Sequence, residues 1–202
     1  YCSSNVENRH AAVKNAFLDL ENTIVYDSDS YQSLKAAVAA YTQLQEKGEA
    51  MTEAELLQAR SALQQAQSAL RTKMEVATEW SARGHEILQT SDRSLYEASG
   101  FENLEKYLER LDGEMTEEPN YTKLGYATEK VQEAIETLVF IGVRGDMDKS
   151  GKVTLADVLG IARAVLDGSL DFDGQHIADV TEDGAVNLAD VIAAARKALS
   201  QR

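Results

Sequence analysis

Asp146-Met147-Asp148-Lys149-Ser150-Gly151-Lys152-Val153-Thr154-Leu155-Ala156-Asp157 is followed, 33 residues on, by Asp179-Val180-Thr181-Glu182-Asp183-Gly184-Ala185-Val186-Asn187-Leu188-Ala189-Asp190. The two stretches align without a gap. Both carry oxygen-bearing side chains at the first, third and fifth places: Asp146, Asp148 and Ser150, then Asp179, Thr181 and Asp183. The sixth place is Gly151 or Gly184, and the ninth is Thr154 or Asn187. The twelfth is a carboxylate in both, Asp157 and Asp190.

This spacing follows the coordination rules of an EF-hand calcium loop. Calcium is a hard cation that takes six to eight oxygen ligands in irregular geometry. Places 1, 3, 5 and 12 supply side-chain oxygens, and place 6 needs glycine for a sharp turn. Place 7 supplies a backbone carbonyl, here from Lys152 and Ala185, and place 9 often acts through water. Val153 and Val186, at the eighth places, are expected to point inward and to pair the loops. Two departures stand out. Ser150 and Thr181 are neutral where carboxylates or amides are commoner; Thr181 is the weaker link, so the second site is expected to bind less tightly or to use a water. The twelfth residue is Asp rather than Glu, so the following helix must start close to the ion. One acidic turn would say little, but two in full register predict two bound Ca2+ ions.

The surroundings predict loop–helix units. Gly142 and Gly145 disfavour a long helix leading into the first loop. Residues 158–178 must hold the outgoing helix, its stop at Asp167-Gly168-Ser169 and a linker, which leaves room for only a short turn of helix before the second loop. The outgoing helices carry one stripe of Val158, Ile161 and Val165, matched by Val191, Ala194 and Ala198, as a small shared core. Leu155, Leu159 and Leu166 lie off it, as do Leu188, Ile192 and Leu199, and Arg163 and Arg196 continue this second stripe. A domain of under about 60 residues rarely buries two full stripes, so the second is expected to be a partner face, unless the helical modules of this chain cover it.

This pair of half EF-hands resembles a type I dockerin over about residues 144–200. The resemblance implies an adaptor that plugs into a cohesin domain of a scaffold or surface protein. It also implies that places 10 and 11 of each loop, and residues one and two turns along each helix, touch the cohesin. By position these are Leu155, Ala156, Leu159 and Arg163, and Leu188, Ala189, Ile192 and Arg196. Many dockerins have hydroxyl residues at places 10 and 11, whereas this chain has Leu-Ala twice, which points to a more apolar contact. The two faces are nearly identical, which leaves a dual, two-fold related mode open beside a single one. Calcium would then be structural, because metal binding in so small a domain is folding free energy.

Upstream, abundant Ala, Leu, Glu, Gln and Lys with a single proline, Pro119, predict helices. One is expected at about Arg9–Thr23, with Val13, Ala16, Phe17, Leu20 and Ile24 in helical spacing. A second, about Tyr31–Lys47, follows the polar break at 27–30 and carries Leu34, Val38, Tyr41 and Leu44, with Gly48 as its stop. A third opens on the capping box Thr52/Glu55 and carries Leu56, Leu63, Ala66 and Leu70. The pattern then recurs: 29–34 parallels 99–104, displaced by 70 residues, and 54–70 parallels 122–138, displaced by 68. Leu63, Ala66 and Leu70 match Val131, Ala134 and Leu138. Across Ala59–Gln89 only Gly84 breaks the pattern, so the third helix of one unit is free to run on into the first of the next. The repeat resembles the FIVAR module over about residues 9–140, through Tyr31/Leu34, Phe101/Leu104 and the Ala/Leu-rich third helix. The expected architecture is all-α: three-helix bundles at 1–72 and 73–141, then the calcium module at 142–202.

The remaining features narrow the function. A net charge of −14 and the lack of a basic footprint argue against nucleic-acid binding and against anionic membranes. No run is long enough for a membrane span. Cys2 is the only cysteine, so no internal disulfide can form, and it lacks the upstream apolar signal of a lipid anchor. His10, His85 and His176 are scattered, and His85-Glu86 lacks the second histidine of a zinc-protease motif. No phosphate loop, dinucleotide glycine pattern or nucleophile elbow is present. The chain is therefore expected to be non-catalytic. The two resemblances imply the C-terminal end of a larger secreted or surface protein of an anaerobic bacterium, whose carbohydrate-active part would sit upstream, with the helical modules as spacer. The rival reading makes those modules a carbohydrate or cell-surface binder, with Trp80, Tyr96, Tyr107, Tyr121 and Tyr126 as stacking candidates and the calcium module as a cap. Aromatics at helical spacing are more often core.

Overall fold

The computed structural model describes residues 25–46 and 52–200. Among these the chain is all-α, with eight helices: α1 Ser28–Glu46, α2 Glu53–Ser68, α3 Lys73–Thr90, α4 Ala98–Glu114, α5 Tyr121–Glu136, α6 Leu155–Asp167, α7 Phe172–Ala178 and α8 Leu188–Ser200. The helix expected at Arg9–Thr23 and the stop at Gly48 lie outside the described residues.

Local signals set the helix starts. The Asp27 carboxylate accepts from the Ser30 N–H at 3.1 Å, which starts α1 three residues ahead of the expected Tyr31. Thr52 and Glu55 form the reciprocal capping box of α2. The expectation of a run-on helix across Ala59–Gln89 is corrected. α2 ends at Ser68, and Thr72 opens α3 with the same device: Glu75 accepts from the Thr72 N–H at 2.7 Å, and Thr72 Oγ1 accepts from the Glu75 N–H at 3.1 Å. Two caps and an intervening backbone pairing outweigh the continuous helical periodicity.

That pairing recurs with the repeat. Tyr26 bridges Thr72, and Tyr96 bridges Phe140. The Asp27 N–H donates to the Arg71 carbonyl, and the Lys73 N–H to the Val25 carbonyl. Displaced by the same steps of 70 and 68, the Glu97 N–H donates to the Val139 carbonyl, and the Ile141 N–H to the Leu95 carbonyl. α1 buries Leu34, Val38 and Tyr41 with Leu63 of α2, and the counterparts Leu104, Leu108, Leu111 and Val131 are buried as well. Gly100 is where α4 approaches Leu138, since a Cβ there would lie 2.7 Å from Leu138 Cδ2.

By contacts the chain divides into two compact units. One holds the described part of Tyr1–Ser81 with Arg110–Lys130, and the other holds Ala82–Glu109 with Val131–Arg202. The C-terminal helices lie wholly in the second. There α6 packs on α8 around Val153, Ile161, Ala178, Ala194 and Ala198, joined by Val158, Val165, Val186 and Val191. Gly168, at φ 64°, closes α6 in the left-handed cap that glycine favours. α7 has only seven residues, about two turns, and no helix runs directly into the first loop.

Candidate metal centre

The two loops adopt the same backbone course. Gly151 and Gly184 have φ of 87° and 83°, and the fourth residues, Lys149 and Glu182, have φ of 55° and 60°. The sixth place thus takes the left-handed conformation for which glycine is suited. The first carboxylate binds the turn in both loops. Asp146 accepts from the Ser150 and Gly151 N–H groups at 2.9 and 2.7 Å. Asp179 accepts from the Asp183 and Gly184 N–H groups at 3.2 and 3.0 Å.

The twelfth carboxylate closes each loop. Asp157 accepts from the Asp148 N–H at 3.1 Å and the Thr154 N–H at 2.8 Å. Asp190 accepts from the Thr181 N–H at 3.0 Å and the Asn187 N–H at 2.9 Å. Thr154 and Asn187 each cap the helix that follows, accepting from the Ala156 and Ala189 N–H groups. Loop end and helix start are thus one hydrogen-bonded turn, with the Asp of place 12 in the first turn of each helix. Burial acts to raise the pKa of Asp157 and Asp190, but the hydrogen bonds outweigh it. Those from Thr154, Asp148 and Met147, and from Asn187, Thr181 and Val180, hold both carboxyls below the ordinary range.

Each loop brings three carboxylates together. Oxygens of Asp146, Asp148 and Asp157, and separately of Asp179, Asp183 and Asp190, lie within 4.8 Å of one another. The charge count is equal, but the third member differs: place 3 in the first loop, place 5 in the second. Where the first loop has Asp148, Thr181 donates its hydroxyl to Asp190 Oδ1 at 2.9 Å. Ser150 donates toward the Lys152 carbonyl at 3.2 Å, and Asn187 Nδ2 toward the Ala185 carbonyl at 3.3 Å. An all-oxygen set rich in carboxylates, without His or Cys, suits a hard divalent cation.

The second stripe of each outgoing helix is exposed. Leu159 is 61% and Ile192 46% exposed, and Leu155, Leu166, Leu188 and Leu199 are exposed as well. Ala156, Arg163, Ala189 and Arg196 are also exposed. Among the aromatics considered for sugar stacking, Tyr96 is buried, Tyr126 is exposed between Arg110 and Lys130, and Trp80, Tyr107 and Tyr121 are half-buried.

A group invisible in the sequence pattern lies beside the loops. The Asp173 carboxylate, only 6% exposed, accepts from the Tyr96 hydroxyl at 3.0 Å and the Asp92 N–H at 2.8 Å. Burial, and the Asp173 charge after it, push the Tyr96 hydroxyl far above its ordinary value. Arg144 donates to the carbonyls of His176 and Asp179 at 2.8 and 3.1 Å, and Lys197 donates to the Arg144 carbonyl at 2.8 Å. Asp179 opens the second loop and Tyr96 is the repeat counterpart of Tyr26, but no spacing along the chain brings either to these partners, so only the folded juxtaposition reveals the group. Comparison with models of known protein families, with characterised proteins and with solved structures finds no match for this chain.

Proposed function

We propose that residues 144–200 form a non-catalytic docking module, stabilised by two calcium ions, that binds a cohesin-like domain on another protein. The preceding helical repeats serve as its spacer. The carrying observation is the double recurrence, at a step of 33 residues, of a whole device: a carboxylate-lined loop of one backbone conformation, then a helix exposing Leu-Ala-x-x-(Leu/Ile)-x-x-x-Arg. A stabilising core needs neither the exposed leucines nor their repetition. Exposed apolar residues flanked by arginine suit a protein partner, since apolar patches rimmed by polar groups mark interaction sites. By the dockerin resemblance, the parent is a secreted or surface bacterial protein with a carbohydrate-active part. No helix among the described residues is long and apolar enough to cross a membrane.

Sugar binding by the helical repeats is the rival reading, and burial of Tyr96 weakens it. The deciding experiment is calorimetric titration of the metal-stripped full chain with calcium, followed by circular dichroism, then binding to a panel of immobilised cohesins with and without chelator. Two ions bound, a gain of helix and calcium-dependent capture are expected. Failure to bind calcium overturns the module reading. Calcium binding without capture leaves the loops and removes the cohesin.

A further inference from the structure

The fourth place of a calcium loop is not a ligand position. Yet both loops put a charged residue there, in the left-handed region that non-glycine residues enter at a cost: Lys149 at φ 55° and Glu182 at φ 60°. Their side chains leave the loops and reach groups outside them. Lys149 Nζ lies 3.2 Å from Asp92 Oδ2 and 3.8 Å from Asp173 Oδ2. Glu182 Oε1 lies 3.5 Å from Arg144 Nε. Behind these contacts sits the buried Asp173, held by Tyr96 and the Asp92 N–H. The Tyr96 ring packs with those of Phe140, Phe172 and His176, at centroid distances between contacting rings of 4.6–5.8 Å. The Arg144 guanidinium covers the Phe140 ring at 5.1 Å. The first loop thus grips the turn at Asp92, and the second grips the linker at Arg144.

We propose that Lys149 and Glu182 are tethers that make the joint between the two calcium loops and the Asp92–Tyr96 and Phe140–Arg144 segments calcium-dependent. The inference rests on the calcium reading above. An ion in each loop holds its three carboxylates together and keeps the fourth residue left-handed, aimed at its partner. Without the ion, mutual repulsion of the carboxylates opens the loop, and the tether loses its aim. Exposed ion pairs are individually weak. The effect comes from presenting the pair beside an already buried carboxylate, and it is expected at the low end of ordinary coupling between sites. Coupling is reciprocal, so loosening the joint also weakens the ion.

The test is amide hydrogen exchange by NMR on the 15N-labelled full chain, with and without calcium. The Gly151 and Gly184 amides, which donate to Asp146 and Asp179, report occupancy of each loop. The Asp92 amide, which donates to Asp173, and the Gly145 amide, which donates to the Ile177 carbonyl at 2.6 Å, report the joint. Calcium is expected to raise protection of the Asp92 and Gly145 amides by about five- to tenfold. Lys149→Gln is expected to remove most of that gain at Asp92, and Glu182→Gln most of it at Gly145, while both loop glycines still respond. Asp92→Asn, which leaves the loop untouched, is expected to reproduce the effect of Lys149→Gln. Joint protection that is unchanged by calcium, with the loop glycines responding, overturns the tether and leaves the calcium reading intact. Full gains retained in the three variants overturn the tether as well. Loop glycines that ignore calcium in the unsubstituted chain overturn the calcium reading, and the tether with it.

Discussion

Asp157 and Asp190 each do two jobs: they complete a carboxylate cluster and form the far half of a helix cap. Asp190→Asn keeps the size and much of the cap but removes the charge. It is expected to weaken calcium in the second loop by about 100-fold or more, since affinity follows ligand charge. Calorimetry should then count one ion instead of two. The same carboxyls set the acid response. Their folded-state values are depressed, so the stability they contribute is fully present above the ordinary Asp value of about 3.9. It is lost as pH falls below that value, through the folded-state values. An acid titration of ellipticity in the calcium-loaded chain should show no loss from these groups between neutral pH and about pH 5, and a decline below about pH 4. At the turns, Gly151→Ala forces a Cβ into φ 87°, where no neighbour crowds it. The cost is therefore backbone strain alone, about 1–2 kcal/mol, read as a lowered melting temperature of the calcium-loaded chain.

At the scale of the element, α6 and α8 each have two apolar stripes with opposite fates. Ile161 and Ala194 are fully buried, while Leu159 and Ile192 stand in solvent. Ile161→Ala opens the centre of a small core and should cost about 2–5 kcal/mol. Leu159→Asp paired with Ile192→Asp should change stability by less than about 0.5 kcal/mol per site. The pair should nevertheless abolish capture by a cohesin-like partner. Thermal unfolding and a pull-down on the same samples separate the two roles. Equal loss of stability from both sets would make the outer stripes core rather than partner face. Among α1–α5, the short pairings Tyr26–Thr72 and Tyr96–Phe140 show how a repeat is marked by its connections as well as by its helices. At Tyr96 the same connection carries the hydroxyl that anchors Asp173.

For the whole molecule, helices with different sources of stability lie on one chain. α1–α5 draw on leucine-rich cores, whereas α6–α8 surround two clusters of three carboxylates that repel one another without a cation. Chelation is therefore expected to melt α6–α8 first and leave the helicity of α1–α5. Ellipticity during a thermal scan should show two transitions in chelator, the lower one moving up as calcium is added. A single calcium-independent transition would contradict the division.

The sequence by itself determined the all-α class, the register of the 70/68 repeat, the pair of twelve-residue loops and the two stripes on each outgoing helix. Each of these is written as spacing along the chain: period 3.6 for a helix face, fixed offsets for oxygen ligands, a fixed step for a repeat. The tertiary structure decided the rest. It broke the helix at Ser68, because two caps and a backbone pairing to Tyr26 are stronger than an uninterrupted apolar rhythm. It left the second stripes in solvent, which periodicity can place on a face but cannot cover or uncover. It brought Tyr96, Asp92, Lys149 and Asp173 together across as many as 81 residues of chain, with no spacing rule to announce them. A buried carboxylate finds its donors wherever the packed helices happen to place them, so that site exists only once the chain is folded.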